Sequence, residues 1–351
     1  MPPEAAVAVA VVSWNTRDLL RECLRSLAGE ERAEVWVVDN ASSDGSAEMV
    51  RSEFPSVRLE ALDSNIGFGP AVNLVASKTS APWIAPANAD VALRPGALDE
   101  LLRAGERFPG AGIVAPRLEL PSGDTQHSVY AFPTVPFTAL FNLGFHRRFG
   151  DRLCLEGYWD PSREREVDWA IGAFLLVRRA AWDAAGGFDD QQWMYAEDLD
   201  LGWRIARAGY TTRYVPSAVV AHHSSAATTQ AWGDERTERW LRSTYSWMLR
   251  RRGLVRTRAT ALINVLGAYA RARSPYFRRW AGLHRRAGFA SRRELEGHRL
   301  RFAGIAWMRL QGQSPQSHAR SSPQARTRRK KVKRRHGPWY VRPACPPGPL
   351  W

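Results

Sequence analysis

The chain has 351 residues, of which 44% are hydrophobic and 24% are charged, a composition typical of a globular protein. Its net charge of +15 is unevenly distributed, since residues 1–230 carry 21 basic and 30 acidic side chains whereas residues 231–351 carry 29 and 5. No run of 18 apolar residues occurs and the three cysteines are widely separated, which argues against a membrane-spanning helix, a disulfide framework and a cysteine-based metal motif.

The first residues lead directly into a strand pattern, without the basic segment and cleavage site of a secretion signal. We therefore expect a cytoplasmic protein in a reducing compartment. Any membrane contact is expected to be peripheral, at the inner face of the membrane.

Strand and helix patterns alternate four times in the first hundred residues. Buried apolar runs predict the strands, and apolar residues at helical spacing follow each of them. This alternation predicts an α/β fold with a mostly parallel sheet flanked by helices, in which ligands bind beyond the carboxyl ends of the strands. The predicted strands are residues 7–14, 34–39, 57–62 and 83–87.

Polar residues at these strand ends each allow two interpretations. Asp39 is either a turn residue or an acceptor for the N3–H of uracil or thymine. Asp90 is either a loop residue or a ligand of Mg²⁺ or Mn²⁺ shared with phosphate oxygens. Asn65 and Gly67 either form only a tight start to a helix or let backbone N–H groups approach an anion. Asn15, at the end of the first strand, would face the same crevice.

The middle of the chain has a less regular pattern. A helix is predicted over residues 95–107 and an extended segment over 113–120. Residues 121–165 mix Gly, Pro, aromatic and charged residues, which indicates either a lid facing a substrate or a plain excursion packed on the body. Residues 167–177 predict a turn followed by a buried strand.

An acidic cluster, Glu197, Asp198 and Asp200, precedes another helical pattern. Acidic residues in a first turn complement the helix dipole, but such a cluster also suits a metal site or acid–base chemistry. Asp200 and Arg204 are four residues apart and can pair on one helix face. Two short strands, 212–215 and 218–221, then lead to His222.

The basic C-terminal third divides into two parts. Residues 231–310 have helical patterns dense in arginine, which indicate either a membrane-surface segment or helices packed on the body with a solvated basic face. Residues 311–351, with ten basic and no acidic residues, are expected to be disordered. An anionic membrane surface is one expected partner for this third.

Five sequence blocks follow one another along residues 7–223. They are Val-Val-Ser-Trp-Asn15, Val-Val-Asp39-Asn-Ala-Ser-Ser-Asp-Gly-Ser, Asn65-Ile-Gly-Phe-Gly-Pro-Ala-Val-Asn73, Asn88-Ala-Asp90, and the run from Val167-Asp-Trp through Gly-Gly-Phe-Asp and Glu-Asp-Leu-Asp to His222. Together these blocks resemble the family 2 glycosyltransferases with the GT-A fold, closest to the rhamnosyltransferase-like branch. The resemblance implies a catalytic domain over residues 1–230.

The resemblance implies a role for several residues. Asp39 would hold the nucleobase of a nucleotide-sugar donor. Asp90 would ligate Mg²⁺ or Mn²⁺ on the diphosphate, with His222 near the metal. Asp198 would be the general base. The other implied donor-binding residues are Asn15, Asn65, Gly67, Asn88, Asp168, Trp169 and Gly172, the last three lining the donor sugar or acceptor, and Glu197, Asp200 and Arg204 would support the base.

The expected function is an inverting transfer of a sugar from a nucleotide-diphosphate donor, dTDP-rhamnose or a UDP-sugar, to a hydroxyl of a glycan or lipid-linked acceptor. A nucleic-acid or polyanion-binding protein using the basic third is the alternative, although no nucleic-acid-binding motif occurs. A nucleotidyltransferase is disfavoured because Ser13-Trp-Asn-Thr16 lacks a glycine-rich basic loop. A catalytically inactive relative is disfavoured because Asp39, Asp90 and Asp198 are all present.

Overall fold

The computed structural model describes residues 5–143, 146–192, 195–223 and 236–273. The expected helical region beyond residue 273 and the whole tail over residues 311–351 lie outside the described residues. Within the described residues, no helix is both long and apolar enough to cross a membrane.

Strands and helices alternate through the first half of the chain, as the apolar patterns predict. The strands are β1 Val7–Ser13, β2 Ala33–Asp39, β3 Arg58–Ala61, β4 Trp83–Asn88, β5 Val91–Leu93, β6 Ala111–Glu119, β7 Val129–Tyr130, β8 Arg165–Val167, β9 Trp169–Ala170, β10 Leu176–Arg178 and β11 Thr211–His222. The helices are α1 Arg17–Leu27, α2 Ser46–Glu53, α3 Phe68–Ala76, α4 Ala97–Arg107, α5 Val135–Asn142, α6 His146–Phe149, α7 Arg179–Ala185, α8 Glu197–Arg207, α9 Arg236–Arg252 and α10 Leu254–Arg273.

The central sheet has the order β3-β2-β1-β4-β10-β6-β11-β5, with β8 paired to β11. Strands β3, β2, β1 and β4 are parallel, as is the pair β6 and β11, whereas β5, β8 and β10 run antiparallel to their neighbours. The register pairs Ser13 with Asp39 and Val12 with Asn88. The polar strand ends therefore lie side by side at one edge of the sheet.

Helices cover both faces of the sheet because successive residues of a strand point to opposite sides. Val9 and Val11 of β1 belong to an apolar cluster with Leu20 of α1 and Leu101 of α4. Ala10 belongs to a second cluster, with Val72 of α3. The two clusters make a rigid support for the loops that follow the strands.

The structure corrects three details of the sequence interpretation. Residues 211–222 form one long strand whose register shifts between Val215 and Val219, instead of two short strands. The segment 167–177 is divided between β8, β9 and β10 instead of forming a turn followed by one buried strand. Helix α5 occurs within the irregular segment 121–165, where Thr134 caps it by accepting a hydrogen bond from the Phe137 N–H.

Helix α9 packs its apolar face on the body of the protein. Leu241, Tyr245 and Met248 are buried in a cluster with Trp169 and Leu199. The sequence pattern predicts that the basic helices either lie on a membrane surface or pack on the body of the protein. This face of α9 packs on the body.

Asp200 anchors α9 to α8. Its fully buried carboxylate accepts hydrogen bonds from Arg204 Nε at 2.7 Å, Trp247 Nε1 at 2.9 Å and Arg251 Nε at 2.7 Å. Burial raises the pKa of Asp200, but the hydrogen bonds from Arg251 and Arg204 outweigh burial and hold the pKa below its usual value. The acidic cluster of α8 is thus tied directly to the C-terminal helices.

Replacing Asp200 by Asn should lower the free energy of unfolding by about 3–5 kcal/mol, because Arg204 and Arg251 then lose the buried negative charge with which they pair. The loss should be largest above the unfolded pKa of aspartate and should shrink as the pH falls through the lowered native pKa. Urea unfolding at several pH values measures both effects.

The matched control is Asp18→Asn, which removes an ion pair with Arg21 of the same 2.7 Å length on an exposed surface. It should change the unfolding midpoint little. An equal loss of unfolding free energy in the two variants would mean that the buried ion pairs of Asp200 stabilise the fold no more than an exposed ion pair does.

Candidate active site

The loops after β1 and β2 are joined by a polar network around Asp39. The Ser42 hydroxyl and N–H both donate to the Asp39 carboxylate. The Asn15 N–H donates to Ser42 Oγ at 2.9 Å, and Asn15 Oδ1 accepts from the Ser43 N–H at 2.8 Å. Burial raises the pKa of Asp39, while the bonds from Ser42 lower it. Asp39 therefore makes the hydrogen bonds expected of a turn residue. Its carboxylate has further lone pairs that could accept from a ligand N–H.

A second turn leads from β3 to α3. Asn65 Oδ1 accepts a hydrogen bond from the Gly67 N–H at 2.9 Å, which closes the turn. Gly67 has φ 93° and ψ 173°, a conformation that side chains other than glycine strongly disfavour. Asn40, which sequence reasoning did not single out, bonds to the backbone of Ile66 and Gly67. These bonds fix the α3 N-terminus beside Asp39.

Asn73 fixes the Gly-Gly-Phe-Asp turn to α3. Its side chain accepts from the Phe188 N–H at 2.9 Å and donates to the Phe188 carbonyl at 2.9 Å. A Cβ at Gly69 would lie 2.9 Å from Phe188 Cβ, so the close contact requires glycine there. Because Asn73 and Phe188 are 115 residues apart, only the fold reveals this contact.

Asp90 and His222 meet at the end of the sheet, although 132 residues separate them in the sequence. Both are buried, and His222 Nε2 lies 3.3 Å from Asp90 Oδ1. His222 Nδ1 is hydrogen-bonded to Gln126 Oε1 at 2.7 Å. An amide oxygen only accepts, so Nδ1 donates to Gln126, and Nε2 is the ring nitrogen that faces the carboxylate.

This pair of atoms fits a divalent cation. His222 Nε2 is buried and has no hydrogen-bond partner among the described residues, and two electron donors facing each other call for a proton or a cation between them. A carboxylate and an imidazole are ordinary ligands of Mn²⁺, with other positions left for phosphate or water. The described residues contain no group of three or more His, Cys, Asp or Glu side chains placed to hold a metal, so Asp90 and His222 are the two ligands that this part of the chain offers.

Asp198 lies in the first turn of α8. Its carboxylate accepts hydrogen bonds from the Leu199 N–H at 2.7 Å and the Gly172 N–H at 3.1 Å. Tyr195 and Ala196, just before the helix, have φ of 59° and 64°, an arrangement that costs about 1–3 kcal/mol per residue. The surrounding packing therefore holds a strained loop to present Asp198.

The two neighbouring carboxyls at the start of α8 influence each other. Burial raises the pKa of Glu197, and the charge of Asp198 raises it further. Burial also raises the pKa of Asp198, against the opposing bonds from Leu199 and Gly172. Glu197 Oε2 is buried without a hydrogen-bond partner among the described residues. The pair therefore favours a state in which Glu197 keeps its proton and Asp198 is the anion.

The strand end with Asn88 and the helix start with Asp198 meet at one short segment. The Asn88 N–H donates to the Ala173 carbonyl at 2.8 Å, and the adjacent Gly172 N–H donates to Asp198. A Cβ at Gly172 would lie 3.7 Å from the Phe68 ring at the start of α3. The predicted donor, metal and base residues are thus brought to the same edge of the sheet.

Asp168 and Trp169 contact the protein itself. Asp168 Oδ2 accepts from the Phe132 N–H at 2.6 Å. The buried Trp169 ring stacks on Tyr130, with ring centroids 4.7 Å apart, and its indole N–H donates to the Ala131 carbonyl. Both residues thereby position the segment 130–132 beside Gly172, and their contact with a donor sugar stays a prediction.

Comparisons with known proteins show what the chain is similar to. The sequence model of a family described as "Glycosyltransferase like family 2" matches residues 2–243. An N-acetylglucosaminyl-diphospho-decaprenol L-rhamnosyltransferase of Mycobacterium tuberculosis is 35% identical over 259 residues, which cover 64% of this chain and 82% of the relative. The rhamnosyltransferase WbbL of Escherichia coli K12 is 31% identical over 128 residues, covering 36% of this chain and 46% of the relative.

Among solved structures, a mannosyltransferase from Pyrobaculum calidifontis in complex with GDP-Man and Mn²⁺ resembles the fold. The TM-score is 0.53 at 16% sequence identity, covering 89% of this chain and 88% of that one. At this identity the likeness concerns the fold alone, and it confirms the predicted class, a mostly parallel sheet flanked by helices.

Proposed function

Since the chain belongs to glycosyltransferase family 2 and is a glycosyltransferase, we propose that it transfers rhamnose, with inversion, from dTDP-rhamnose to a hydroxyl of a lipid-linked glycan. The observation that carries the mechanism is the position of Asp198. Its carboxylate is held by two backbone N–H groups, one of which, from Gly172, adjoins the residue bonded to Asn88.

Asp198 acts as the general base. Burial raises its pKa, which brings the carboxylate closer to the basicity that proton abstraction from a hydroxyl needs at neutral pH. Its bonds to the Gly172 and Leu199 N–H groups fix its orientation. A single base on the face opposite to the leaving group leads to inversion at the anomeric carbon.

Asp90 and His222 would hold a divalent cation, Mg²⁺ or Mn²⁺, on the diphosphate of the donor. When bound, such an ion offsets the negative charge that builds up on the leaving diphosphate. Gln126 orients His222 by accepting from Nδ1, which directs Nε2 towards Asp90. Asn88 would approach the same diphosphate from the end of β4.

Asp39 would bind the nucleobase, supported by Asn15 and Ser42. The start of α3, with Asn65 and Gly67, would face the nucleotide. Rhamnose and a lipid-linked acceptor are proposed because the M. tuberculosis relative is named as an L-rhamnosyltransferase acting on an N-acetylglucosaminyl-diphospho-decaprenol. A UDP-sugar donor and a cytoplasmic site of action at the inner face of the membrane stay predictions.

A donor panel tests this function. The purified chain is incubated with dTDP-rhamnose, UDP-sugars and GDP-mannose, with or without an N-acetylglucosaminyl-diphosphoprenol acceptor, and release of nucleoside diphosphate is measured. Acceptor-dependent release from dTDP-rhamnose that stops with EDTA and resumes with Mn²⁺ is expected. Release from another donor alone would replace rhamnose in the proposal, and release unaffected by EDTA would remove the metal.

A further inference from the structure

Helix α10 exposes an apolar stripe. Val255, Leu262 and Leu266 are 82%, 47% and 59% exposed, and their spacing of seven and four residues places them on one side of the helix. These three residues are called the α10 stripe. The helix contains no acidic residue, and Arg256 and Arg258 lie on either side of the stripe at helical spacing.

A basic pocket lies at the start of the same helix. It has a volume of about 490 Å³, and its lining is formed by one aromatic and four basic side chains: Trp203, Arg207, Arg251, Arg252 and Arg256. The guanidinium group of Arg252 stacks over the Trp203 ring, with its Cζ atom 4.7 Å from the ring centroid. These five residues are called the arginine pocket.

The arginine pocket has the charge of an anion-binding site. None of the described residues that line it is acidic, and Asp200 and Asp189 engage only Arg251 among its arginines. Burial and the charge of Arg256 lower the pKa of Arg252, as expected where like charges crowd a partly enclosed space. A phosphate group would relieve this repulsion and satisfy planar guanidinium donors.

The segment that follows α10 is poorly suited to neutralise the pocket. Residues 274–351 contain 19 basic and two acidic residues, so they carry the same sign of charge as the pocket itself. An anionic surface, in contrast, complements both the pocket and this excess of positive charge.

The stripe and the pocket are adjacent along the chain, since Val255 of the stripe directly precedes Arg256 of the pocket and follows Arg252 by three residues. We propose that the α10 stripe and the arginine pocket together dock on a bilayer that contains anionic phospholipid. Lipid phosphates occupy the arginine pocket, and the stripe enters the boundary between headgroups and acyl chains. This surface is distinct from the apolar face of α9, which the body of the protein covers.

Co-sedimentation of the full chain with vesicles tests the apolar part. Vesicles of phosphatidylcholine with phosphatidylglycerol are compared with phosphatidylcholine alone at about 0.15 M salt, an ionic strength that screens exposed charges beyond ~8 Å. Leu262→Gln/Leu266→Gln should lower the partition coefficient on the anionic vesicles roughly tenfold, because two leucines no longer enter the interface. Tyr158→Gln, at a half-exposed aromatic of the body, is the control and should bind like the parent chain.

A second pair of variants tests the pocket at constant net charge. Arg252→Gln/Arg256→Gln should weaken binding to anionic vesicles at least fivefold more than Arg51→Gln/Arg103→Gln, which removes two exposed arginines from α2 and α4. Equal weakening in the two variants would show that only net charge matters, and it would overturn the pocket as a lipid site.

Other occupants give different results. If the leucine variant binds vesicles like the parent chain, the stripe does not enter the bilayer. If it instead changes the oligomeric state in sedimentation velocity without vesicles, the stripe is covered by a second copy, and if it lowers the melting temperature by several degrees, the chain itself covers the stripe. Release from vesicles by millimolar inorganic phosphate at constant ionic strength would assign the pocket to soluble phosphates. Each of these results overturns the proposal.

Discussion

Replacing Asp198 by Asn should lower the rate of sugar transfer roughly 10³-fold, within the range by which a positioned general base accelerates a reaction. Asparagine keeps the shape of the side chain and one oxygen, which can accept from one of the two N–H groups, Gly172 or Leu199, that bond to the two oxygens of the carboxylate. The loss of one hydrogen bond should leave the chain folded and its donor binding little changed. Steady-state kinetics should show the loss in kcat, with the KM for the donor nearly unchanged.

The pH profile separates a base from a merely structural residue. A base works when deprotonated, and burial raises the pKa of Asp198, so the parent rate should fall as the pH decreases through a value above the ~3.9 of a free aspartate. The remaining activity of Asp198→Asn should lack this acidic limb. Asp183→Asn, on the exposed side of α7, should keep both the rate and the limb. An unchanged limb in Asp198→Asn would assign the proton to another group.

Replacing Asp90 by Asn should abolish most metal-dependent transfer, a loss of roughly 10³-fold, because a neutral amide is a much poorer ligand for a hard divalent cation. The direct readout is binding of Mn²⁺ in the presence of nucleoside diphosphate, measured by electron paramagnetic resonance. The dissociation constant should rise at least about 100-fold.

Asp124→Asn is the matched control, since Asp124 is exposed and bonded only to nearby loop groups such as the Ser122 hydroxyl. It should bind Mn²⁺ like the parent chain. If Asp90→Asn also keeps its Mn²⁺ affinity while the melting temperature is unchanged, Asp90 and His222 form only a buried polar contact, and the proposed metal site is wrong.

Much of the fold was predictable because its signals are local. Strands β1, β2 and β4 are nearly continuous apolar runs, which strands buried on both faces require, and the helices between them keep apolar spacing. The sequence pattern divides β11 in two because Pro216 and Ser217 interrupt it, whereas the structure continues the strand with a shift of register. The pattern does not indicate helix α5, because the apolar residues of this helix occur in a segment rich in proline and aromatic residues.

The candidate site was predictable to the extent that its residues end parallel strands, which places Asp39 and Asn88 at one edge of the sheet. The partners that hold these residues were not, since they come from distant parts of the chain. Gln126 is hydrogen-bonded to His222, which lies 96 residues further along the sequence, and Trp247 donates to Asp200, 47 residues before it. No spacing rule links such pairs.

The contacts of Asp200 also show which interactions a sequence pattern can predict and which it cannot. Its pairing with Arg204 follows from helical spacing and is present in the structure. Its bonds to Trp247 and Arg251 do not follow from any pattern, yet they connect the helix that presents Asp198 to α9. The basic third of the chain therefore contributes to the site through its first helix.

The most direct test of the central claim is the anomeric configuration of the product, determined by nuclear magnetic resonance after transfer from dTDP-rhamnose to the lipid-linked acceptor. Transfer by a single base, Asp198, predicts a glycosidic bond of configuration opposite to that in the donor. A product that retains the donor configuration would contradict the mechanism, because retention requires a step that Asp198 acting alone as a base does not provide.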